Sequence, residues 1–235
     1  LLVIGAHNDD PGGVNDSGSA YLFKKSGSGL FEQTAKLIPE DSFGYMRFGH
    51  SVATANNTVA IGGTYSAVYL YSVSESGEAS LTQTIQRPGD RGDSFGYDLA
   101  MIGQWLVIGS KGGAHLFKIN SNGNAELTSS IYSPKDQYGT FGQSVAIDGD
   151  RLVIGAPGED SDNGSQSGVV YVYQILDDGK VRLLESLIHP TGKANDQFGQ
   201  SVSISGLNIL VGAPGYDLDN DRWNAGSAVL FRASQ

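Results

Sequence analysis

The 235-residue sequence contains no cysteine, which excludes disulfide bonds, thiolate zinc sites and cysteine nucleophiles together. Basic residues are scarce, since 15 Lys and Arg stand against 25 Asp and Glu, for a formal net charge of −10. We therefore expect no nucleic-acid partner, because phosphate binding needs a basic face. No apolar run has the length of a membrane-spanning helix, so we expect no membrane insertion.

Glycine is abundant, with 33 residues, and short clusters of β-branched and aromatic residues lie between turn-forming stretches. The apolar residues alternate or cluster in fours and fives, and no window shows the periodicity of an amphipathic helix. This composition predicts an all-β protein made of many short strands joined by tight turns.

A repeat runs through the whole chain. Five strand-like runs resembling Leu-Val-Ile-Gly end at Gly5, Gly62, Gly109, Gly155 and Gly212. A Phe-Gly pair precedes four of these glycines, and its phenylalanine always lies 14 residues upstream, at Phe48, Phe95, Phe141 and Phe198. A spacing held in four copies indicates that each copy is one structural unit.

A complete repeat contains four strand-like runs, which is typical of a four-stranded antiparallel β-propeller blade. The first repeat lacks its first strand and the last lacks its fourth, so five repeats show 18 strands. We predict one propeller domain over residues 1–235. Its repeats span approximately 1–40, 41–90, 91–136, 137–193 and 194–235. The chain begins at Leu1 inside a strand-like run, so we expect it to be part of a longer chain.

The segment from Phe141 to Pro157 contains Phe-Gly-x-Ser-Val followed by Val-Ile-Gly-Ala-Pro. This pattern resembles the FG-GAP repeat, the blade unit of integrin α-subunit propellers and of secreted bacterial proteins. The resemblance is closest in the fourth and fifth repeats and weaker in the second and third. It implies a propeller with an adhesion role. Integrin calcium loops join the first and second strands, where this chain has a tight turn at 148–150, so that site is not carried over.

The connections between the second and third strands are long in the first, fourth and fifth repeats. Each carries an aspartate five positions after its strand-ending glycine, and further acidic residues follow. We predict that calcium is the cofactor of these loops, because Ca²⁺ takes six to eight oxygen ligands in a flexible cage. The candidate ligands are Asp10, Asp160, Asp162, Asp217, Asp219 and Asp221. The alternative is that these residues only form solvated turns.

The fifth loop also contains two aromatic residues, Tyr216 and Trp223, which we predict to be ligand-binding. The leading hypothesis is a non-enzymatic, extracellular or cell-surface interaction module that binds a protein or a glycan. One alternative is the catalytic body or sugar-binding appendage of a secreted carbohydrate-active enzyme. Another is a scaffold or filament subunit that self-associates through its incomplete terminal blades, since open sheet edges favour association.

Two short motifs point elsewhere and are better explained by the repeat. Arg91-Gly92-Asp93 spells a tripeptide that integrins recognise, but an aspartate shortly before Phe-Gly belongs to the repeat's own pattern. Gly92 to Gly96 matches the nucleophile-elbow pattern, which requires a following helix that the sequence does not predict. The four histidines lack metal-ligand spacing, so no catalytic residue is assigned.

Overall fold

A computed structural model describes residues 1–64, 67–89, 93–135, 140–218 and 223–233. These residues form 18 β-strands and one 3₁₀ turn, Pro11–Gly13, and no α-helix. Within these ranges no helix has the length and hydrophobicity of a membrane span. Arg91 and Gly92 of the tripeptide, and the predicted calcium ligands Asp219 and Asp221, lie outside the described residues.

The strands form five sheets, numbered here in chain order. The first contains β1 (Leu2–Ala6), β2 (Ser19–Lys25) and β3 (Phe31–Leu37). The second contains β4 (Ser51–Ala55), β5 (Thr58–Gly62), β6 (Ala67–Val73) and β7 (Ala79–Gln86). The third contains β8 (Asp93–Ile102), β9 (Trp105–Lys111), β10 (Gly113–Ile119) and β11 (Ala125–Ile131). The fourth contains β12 (Ser144–Asp148), β13 (Arg151–Ala156), β14 (Val169–Ile175) and β15 (Val181–Leu187). The fifth contains β16 (Ser201–Ser205), β17 (Asn208–Ala213) and β18 (Ser227–Arg232).

Strands that follow one another in the chain are neighbours in every sheet, which is the meander of a propeller blade. The all-β fold class and the blade assignment are therefore confirmed. The second strand of each middle sheet is apolar and buried, as expected for a strand covered on both faces.

The chain divides into two compact units by its internal contacts. The first comprises Leu1–Leu106 with Lys118–Glu126, and the second comprises Val107–Phe117 with Leu127–Gln235. The first and second sheets belong to the first unit, and the fourth and fifth sheets belong to the second. The extent of a single domain over 1–235 stays a prediction.

In the first unit, the first and second sheets pack face to face. The first sheet contributes Leu22, with Val3 beside it, and the second contributes Ile61 and Tyr69. We call the face turned toward the following sheet the forward face and the opposite one the rear face. Because side chains alternate along a strand, every second residue reaches the forward face.

The second unit repeats this packing between its fourth and fifth sheets. Val153 and Val172 on the forward face of the fourth sheet contact the rear face of the fifth, which presents Ile209 and Val211. Phe198 of the Phe-Gly pair is completely buried in the same cluster. Burying such a ring stabilises the packing of two sheets rather than one sheet alone.

Candidate functional site

The three long loops that the sequence singled out share one backbone construction. We call them the first loop (7–18), the fourth loop (157–168) and the fifth loop (214–226). The turn that opens each loop is closed by a hydrogen bond to the last alanine of the preceding strand. These bonds are Asp9 N to Ala6 O at 3.1 Å, Glu159 N to Ala156 O at 3.1 Å and Tyr216 N to Ala213 O at 3.3 Å. The base of each loop is closed by Gly18 N to Asp9 O, Gly168 N to Glu159 O and Gly226 N to Tyr216 O, at 2.9, 2.9 and 3.0 Å.

The three aspartates five positions after the strand-ending glycine also have equivalent contacts. In each case Oδ1 accepts a hydrogen bond from a backbone N–H later in the same loop. The donors are Asp16 to Asp10 at 2.6 Å, Gln166 to Asp160 at 2.8 Å and Asn224 to Asp217 at 2.7 Å. All three donor residues have a left-handed backbone, with φ of 47°, 50° and 50°. The aspartates therefore act as clamps that hold a strained turn in place.

Two of these loops also hold the connection that leads into the next sheet. In the first unit, Arg47 N donates to Asp16 O at 3.0 Å and Phe48 N donates to Ser17 O at 2.9 Å. In the second unit, Gln197 N donates to Gln166 O at 3.2 Å and Phe198 N donates to Ser167 O at 3.0 Å. In both loops the clamped residue and the serine after it thus supply the carbonyls that hold the chain entering the next Phe-Gly pair.

The described residues bring no three candidate calcium ligands together. No group of three or more acidic or histidine side chains is placed to hold a metal within the ranges that the structure covers. Asp162 is exposed and forms no hydrogen bond there, and Asp10 and Asp160 already accept N–H groups. The calcium assignment therefore stays a prediction that concerns the fifth loop most, since Asp219 and Asp221 fall outside these ranges.

In the first and fourth loops an acidic residue lies one position before the clamping aspartate, and the sequence did not indicate its structural role. In the first loop this residue is Asp9, whose Oδ2 accepts hydrogen bonds from Ser19 at 2.6 Å and Tyr21 at 3.3 Å. It also forms a 2.7 Å ion pair with Lys36. The hydrogen bond from Lys36, followed by that from Ser19, lowers the pKa of Asp9 to about 2. Asp9 is therefore charged and compensated at neutral pH.

In the fourth loop the equivalent residue is Glu159, which is completely buried. Its Oε2 accepts a 2.6 Å hydrogen bond from the hydroxyl of Tyr171, while its Oε1 is buried without a hydrogen-bond partner. Tyr171 lies in the fourth sheet at the position that Tyr21 has in the first. The cross-strand neighbour of Tyr171 is Ser186, whereas that of Tyr21 is Lys36. Burial, and then the bond to Glu159, raises the pKa of Tyr171 well above its ordinary value. The available signal was an acidic residue 12 positions before a strand tyrosine, as in Asp9 with Tyr21 and Glu159 with Tyr171.

The second sheet pairs the same tyrosine position with an acid from a different segment. The Tyr69 hydroxyl lies 2.9 and 3.0 Å from the two carboxylate oxygens of Asp41, which precedes β4 in the chain. Burial, and then the hydrogen bond to Asp41, raises the pKa of Tyr69. A tyrosine hydroxyl bound to a carboxylate is thus a shared feature of the first, second and fourth sheets.

The two predicted ligand-binding aromatics occupy different environments on the fifth loop. The Tyr216 ring stacks on His189 with a centroid distance of 4.6 Å, and its hydroxyl lies 3.2 Å from Thr191 Oγ1. Trp223 is 72% exposed. The Tyr216 ring is therefore partly used in internal packing, whereas the indole of Trp223 faces solvent.

His189 is buried at the centre of this cluster, and the sequence indicated no catalytic role for it. The Thr191 N–H donates to its Nδ1 at 3.2 Å, so Nε2 carries the proton and faces Ser227 Oγ at 3.1 Å. Burial lowers the pKa of His189, while the charge of Asp196 acts in the opposite direction. A neutral imidazole with a hydrogen bond at each ring nitrogen therefore positions the Tyr216 ring.

The repeated four-stranded meander and its loop architecture define the chain as a β-propeller protein. A family model described as the FG-GAP repeat matches residues 31–82, 122–173 and 184–231, which is more than half of the chain. The chain therefore belongs to the FG-GAP repeat family.

Two solved structures resemble this chain in fold. The crystal structure of the computationally designed Ika4 protein has 14% identity and a TM-score of 0.53, covering 79% of this chain and 91% of that one. A protein from Lactobacillus plantarum has 16% identity and a TM-score of 0.58, covering 91% of this chain. This chain spans 60% of the length of that protein. At such identities the likeness concerns the fold alone. The search among curated proteins found no match.

Proposed function

We propose that this chain is a non-enzymatic interaction module, extracellular or at the cell surface, that binds a glycan or a protein through its long loops. The observation that carries the proposal is the exposed indole of Trp223 on the fifth loop. Two hydrogen bonds link backbone N–H groups of this loop to acceptors earlier in the same loop. Gly226 N bonds to Tyr216 O, and Asn224 N bonds to the Asp217 carboxylate. A loop whose backbone is held at these two points loses less entropy when a partner binds its aromatic surface.

A glycan is the first partner to test, because aromatic rings with adjacent hydroxyl groups suit the apolar faces and polar edges of sugars. Thr191 and Tyr216 supply such hydroxyls next to His189. The same feature suits the sugar-binding appendage of a carbohydrate-active enzyme, which is the second candidate function. A partner with a basic protein surface is the other class, given the net charge of −10.

A glycan array followed by calorimetry tests the proposal. We expect binding that Trp223→Ala reduces at least about tenfold, which corresponds to about 1.4 kcal/mol. Leu30→Ala is the matched control, because Leu30 is also an exposed apolar residue but lies on a hairpin turn of the first sheet. Binding that both variants leave intact, or that both lose equally, would remove the fifth loop from the function. Turnover of a bound sugar would contradict the non-enzymatic assignment.

Calcium is proposed as a stabiliser of these loops, with Asp10, Asp160, Asp162 and Asp217 as candidate ligands and Asp219 and Asp221 beside them in the sequence. Alternating carboxylates from 217 to 221 support it. We expect Ca²⁺ to raise the melting temperature and a chelator to lower it. Asp160→Asn separates the two roles of this residue, because an amide oxygen still accepts the Gln166 N–H but binds calcium poorly. An unchanged melting temperature with both excess Ca²⁺ and chelator would eliminate the metal.

A further inference from the structure

Two of the four histidines, which are far apart in the sequence, meet where the first and second sheets pack together. The rings of His7 and His50 have centroids 5.4 Å apart and lie edge to face, with an interplanar angle of 60°. His7 directly follows β1 and opens the first loop, and His50 directly precedes β4. Both side chains are partly exposed, so an ion in solution can reach them.

The backbone that carries the two rings is held by a close contact between the sheets. A Cβ added at Gly5 would overlap the carbonyl oxygen of Gly49, so the segments leading to the two histidines touch each other. The N–H of His50 also donates to Arg47 O at 3.0 Å and to Gly62 O at 3.1 Å. The two imidazoles therefore extend from backbone positions that are fixed relative to each other.

The hydrogen bonding of His50 leaves one of its ring nitrogens available. Its Nδ1 lies 3.1 Å from the carbonyl oxygen of Tyr97 on β8. Because a carbonyl only accepts, Nδ1 carries the proton and the lone pair of the neutral ring lies on Nε2. Within the described ranges, neither this Nε2 nor the ring of His7 forms a hydrogen bond. Metal-binding histidines usually have this arrangement, in which one nitrogen donates to a carbonyl and the other binds the ion.

The equivalent contact between the fourth and fifth sheets carries other residues. A Cβ added at Gly155 would overlap the carbonyl oxygen of Gly199, just as in the first unit. Two positions after the first of these glycines stands Pro157, and one position after the second stands Gln200. Both histidines are thus departures from the residues of the equivalent contact. The two departures meet in space, and each introduces an imidazole.

The spacing of the two rings fits a shared metal ion. Zn²⁺ binds histidine nitrogen at about 2.0–2.1 Å, which places each ring centroid about 3.2 Å from the ion. At a tetrahedral angle two such centroids are about 5.2 Å apart. The observed centroid distance of 5.4 Å agrees with this value. Imidazole nitrogen suits Zn²⁺, Cu²⁺ and Ni²⁺, whereas Ca²⁺ and Mg²⁺ prefer oxygen ligands.

We propose that His7 and His50 together bind one divalent transition-metal ion of the Zn²⁺ type. No third acidic or histidine side chain joins them in the part of the chain that the structure describes. The site is therefore an open one, in which water or a donor group of a partner completes the tetrahedron. It uses nitrogen ligands and none of the candidate calcium ligands, and it does not depend on the proposed ligand-binding function.

Titration of the chain, without a histidine tag, with Zn²⁺ in a calorimeter tests this site. We expect one ion per chain. His7→Pro and His50→Gln should each weaken Zn²⁺ binding at least about tenfold, because losing even an outer-shell partner costs about 10–100-fold in metal affinity. In NMR spectra of the unsubstituted chain, the ring signals of both histidines should shift together as Zn²⁺ is added.

The two variants are chosen so that the chain still folds. Proline fits the first position, since the turn after Pro157 is closed by Glu159 N as the turn after His7 is closed by Asp9 N. Glutamine occupies the second position in the fifth repeat, at Gln200. Melting temperatures without metal should therefore stay close to that of the unsubstituted chain.

Two controls separate the histidine pair from the carboxylates of the first loop. Asp16→Asn removes a carboxylate from this loop, and asparagine tolerates the left-handed backbone with a φ of 47°. This variant, and an excess of Ca²⁺, should each leave Zn²⁺ binding unchanged. The positive charge of Arg47 also acts on the His50 ring. Arg47→Gln, which introduces the residue found at Gln197, should therefore strengthen Zn²⁺ binding by removing a repulsion.

Four results would overturn the proposal. The first is an absence of saturable Zn²⁺ binding, and the second is binding that the double variant with His7→Pro and His50→Gln retains. The third is a loss of affinity in only one of the two single variants, since the rings would then not share an ion. The fourth is displacement of Zn²⁺ by Ca²⁺ or its loss with Asp16→Asn, which would assign the ion to loop carboxylates.

Discussion

The buried carboxylate of Glu159 accepts a 2.6 Å hydrogen bond from the hydroxyl group of Tyr171 on the neighbouring strand β14. The equivalent acid of the first sheet, Asp9, has a serine, a tyrosine and a lysine as partners, whereas Glu159 has this single donor. Removing the only partner of a buried polar group costs the full desolvation of that group.

Tyr171→Phe should therefore destabilise the protein by about 1–3 kcal/mol, measured by urea unfolding. The matched control is Tyr21→Phe, which leaves Asp9 bound to Ser19 and Lys36 and should cost much less. Equal effects of the two substitutions would show that Glu159 does not depend on the tyrosine.

Gly168→Ala should be among the most damaging single substitutions in the second unit. Gly168 has a φ of 87°, and a Cβ there would overlap the backbone of Phe198. Left-handed strain of about 1–2 kcal/mol and a steric clash of about 1–3 kcal/mol add to a loss of about 2–5 kcal/mol. Gly149→Ala is the control, since Gly149 has a φ of 57° but no atom within 4 Å of an added Cβ. Thermal and urea unfolding should separate the two variants clearly, and similar midpoints would contradict the tight contact.

Asp160→Ala should destabilise the fourth loop by about 1 kcal/mol, because the Gln166 N–H loses its acceptor and the left-handed turn loses its clamp. Limited proteolysis of the loop should become faster. Asp162→Ala is the neighbouring control, as Asp162 is exposed and makes no hydrogen bond among the described residues. If Asp162→Ala had the larger effect without added metal, the clamp would not be the feature that orders the loop.

The stability of the protein should fall in alkaline solution. Burial, aided by the charges of Asp41 and Glu159 respectively, raises the pKa of Tyr71 and of Tyr173 to about 12. In the unfolded chain both tyrosines ionise at their ordinary value of 10.0. Their contribution is therefore complete below pH 10 and is lost as the pH rises toward 12.

Melting temperatures measured with tyrosinate absorbance between these pH values check this expectation. Tyr71→Phe and Tyr173→Phe should each reduce the alkaline loss of stability, because phenylalanine has no proton to release. Tyr45→Phe, at an exposed position, should leave it unchanged. A flat stability profile above pH 10 in the unsubstituted protein would refute the shift.

The strand pattern was readable from the sequence because each blade is a local meander. The 14-residue interval from Phe141 to Gly155 spans one hairpin. Alternation of apolar and polar residues along a strand indicates which side chains are buried. The loop aspartates were also found from spacing, although their demonstrated contact is with backbone N–H groups. Calcium binding there stays a prediction.

The left-handed residues of the connectors were not readable in the same way. Tyr45, Arg47, Asn195 and Gln197 all have positive φ values, yet of these residue types only asparagine is enriched in that conformation. Their backbone is held by hydrogen bonds from the preceding long loop, such as Tyr45 N to Asn15 O. These partners are about 30 residues apart in the chain, so no local pattern predicts them.

By itself, the sequence determined the strand order and the repeat period, because those depend on spacing and on the residue pattern along one strand. The tertiary structure alone decided which acid Tyr21, Tyr69 and Tyr171 each bind. Those partners depend on which residues of different strands meet. Tyr21 faces Lys36 across its sheet and the equivalent Tyr171 faces Ser186, although the two strands have similar local patterns.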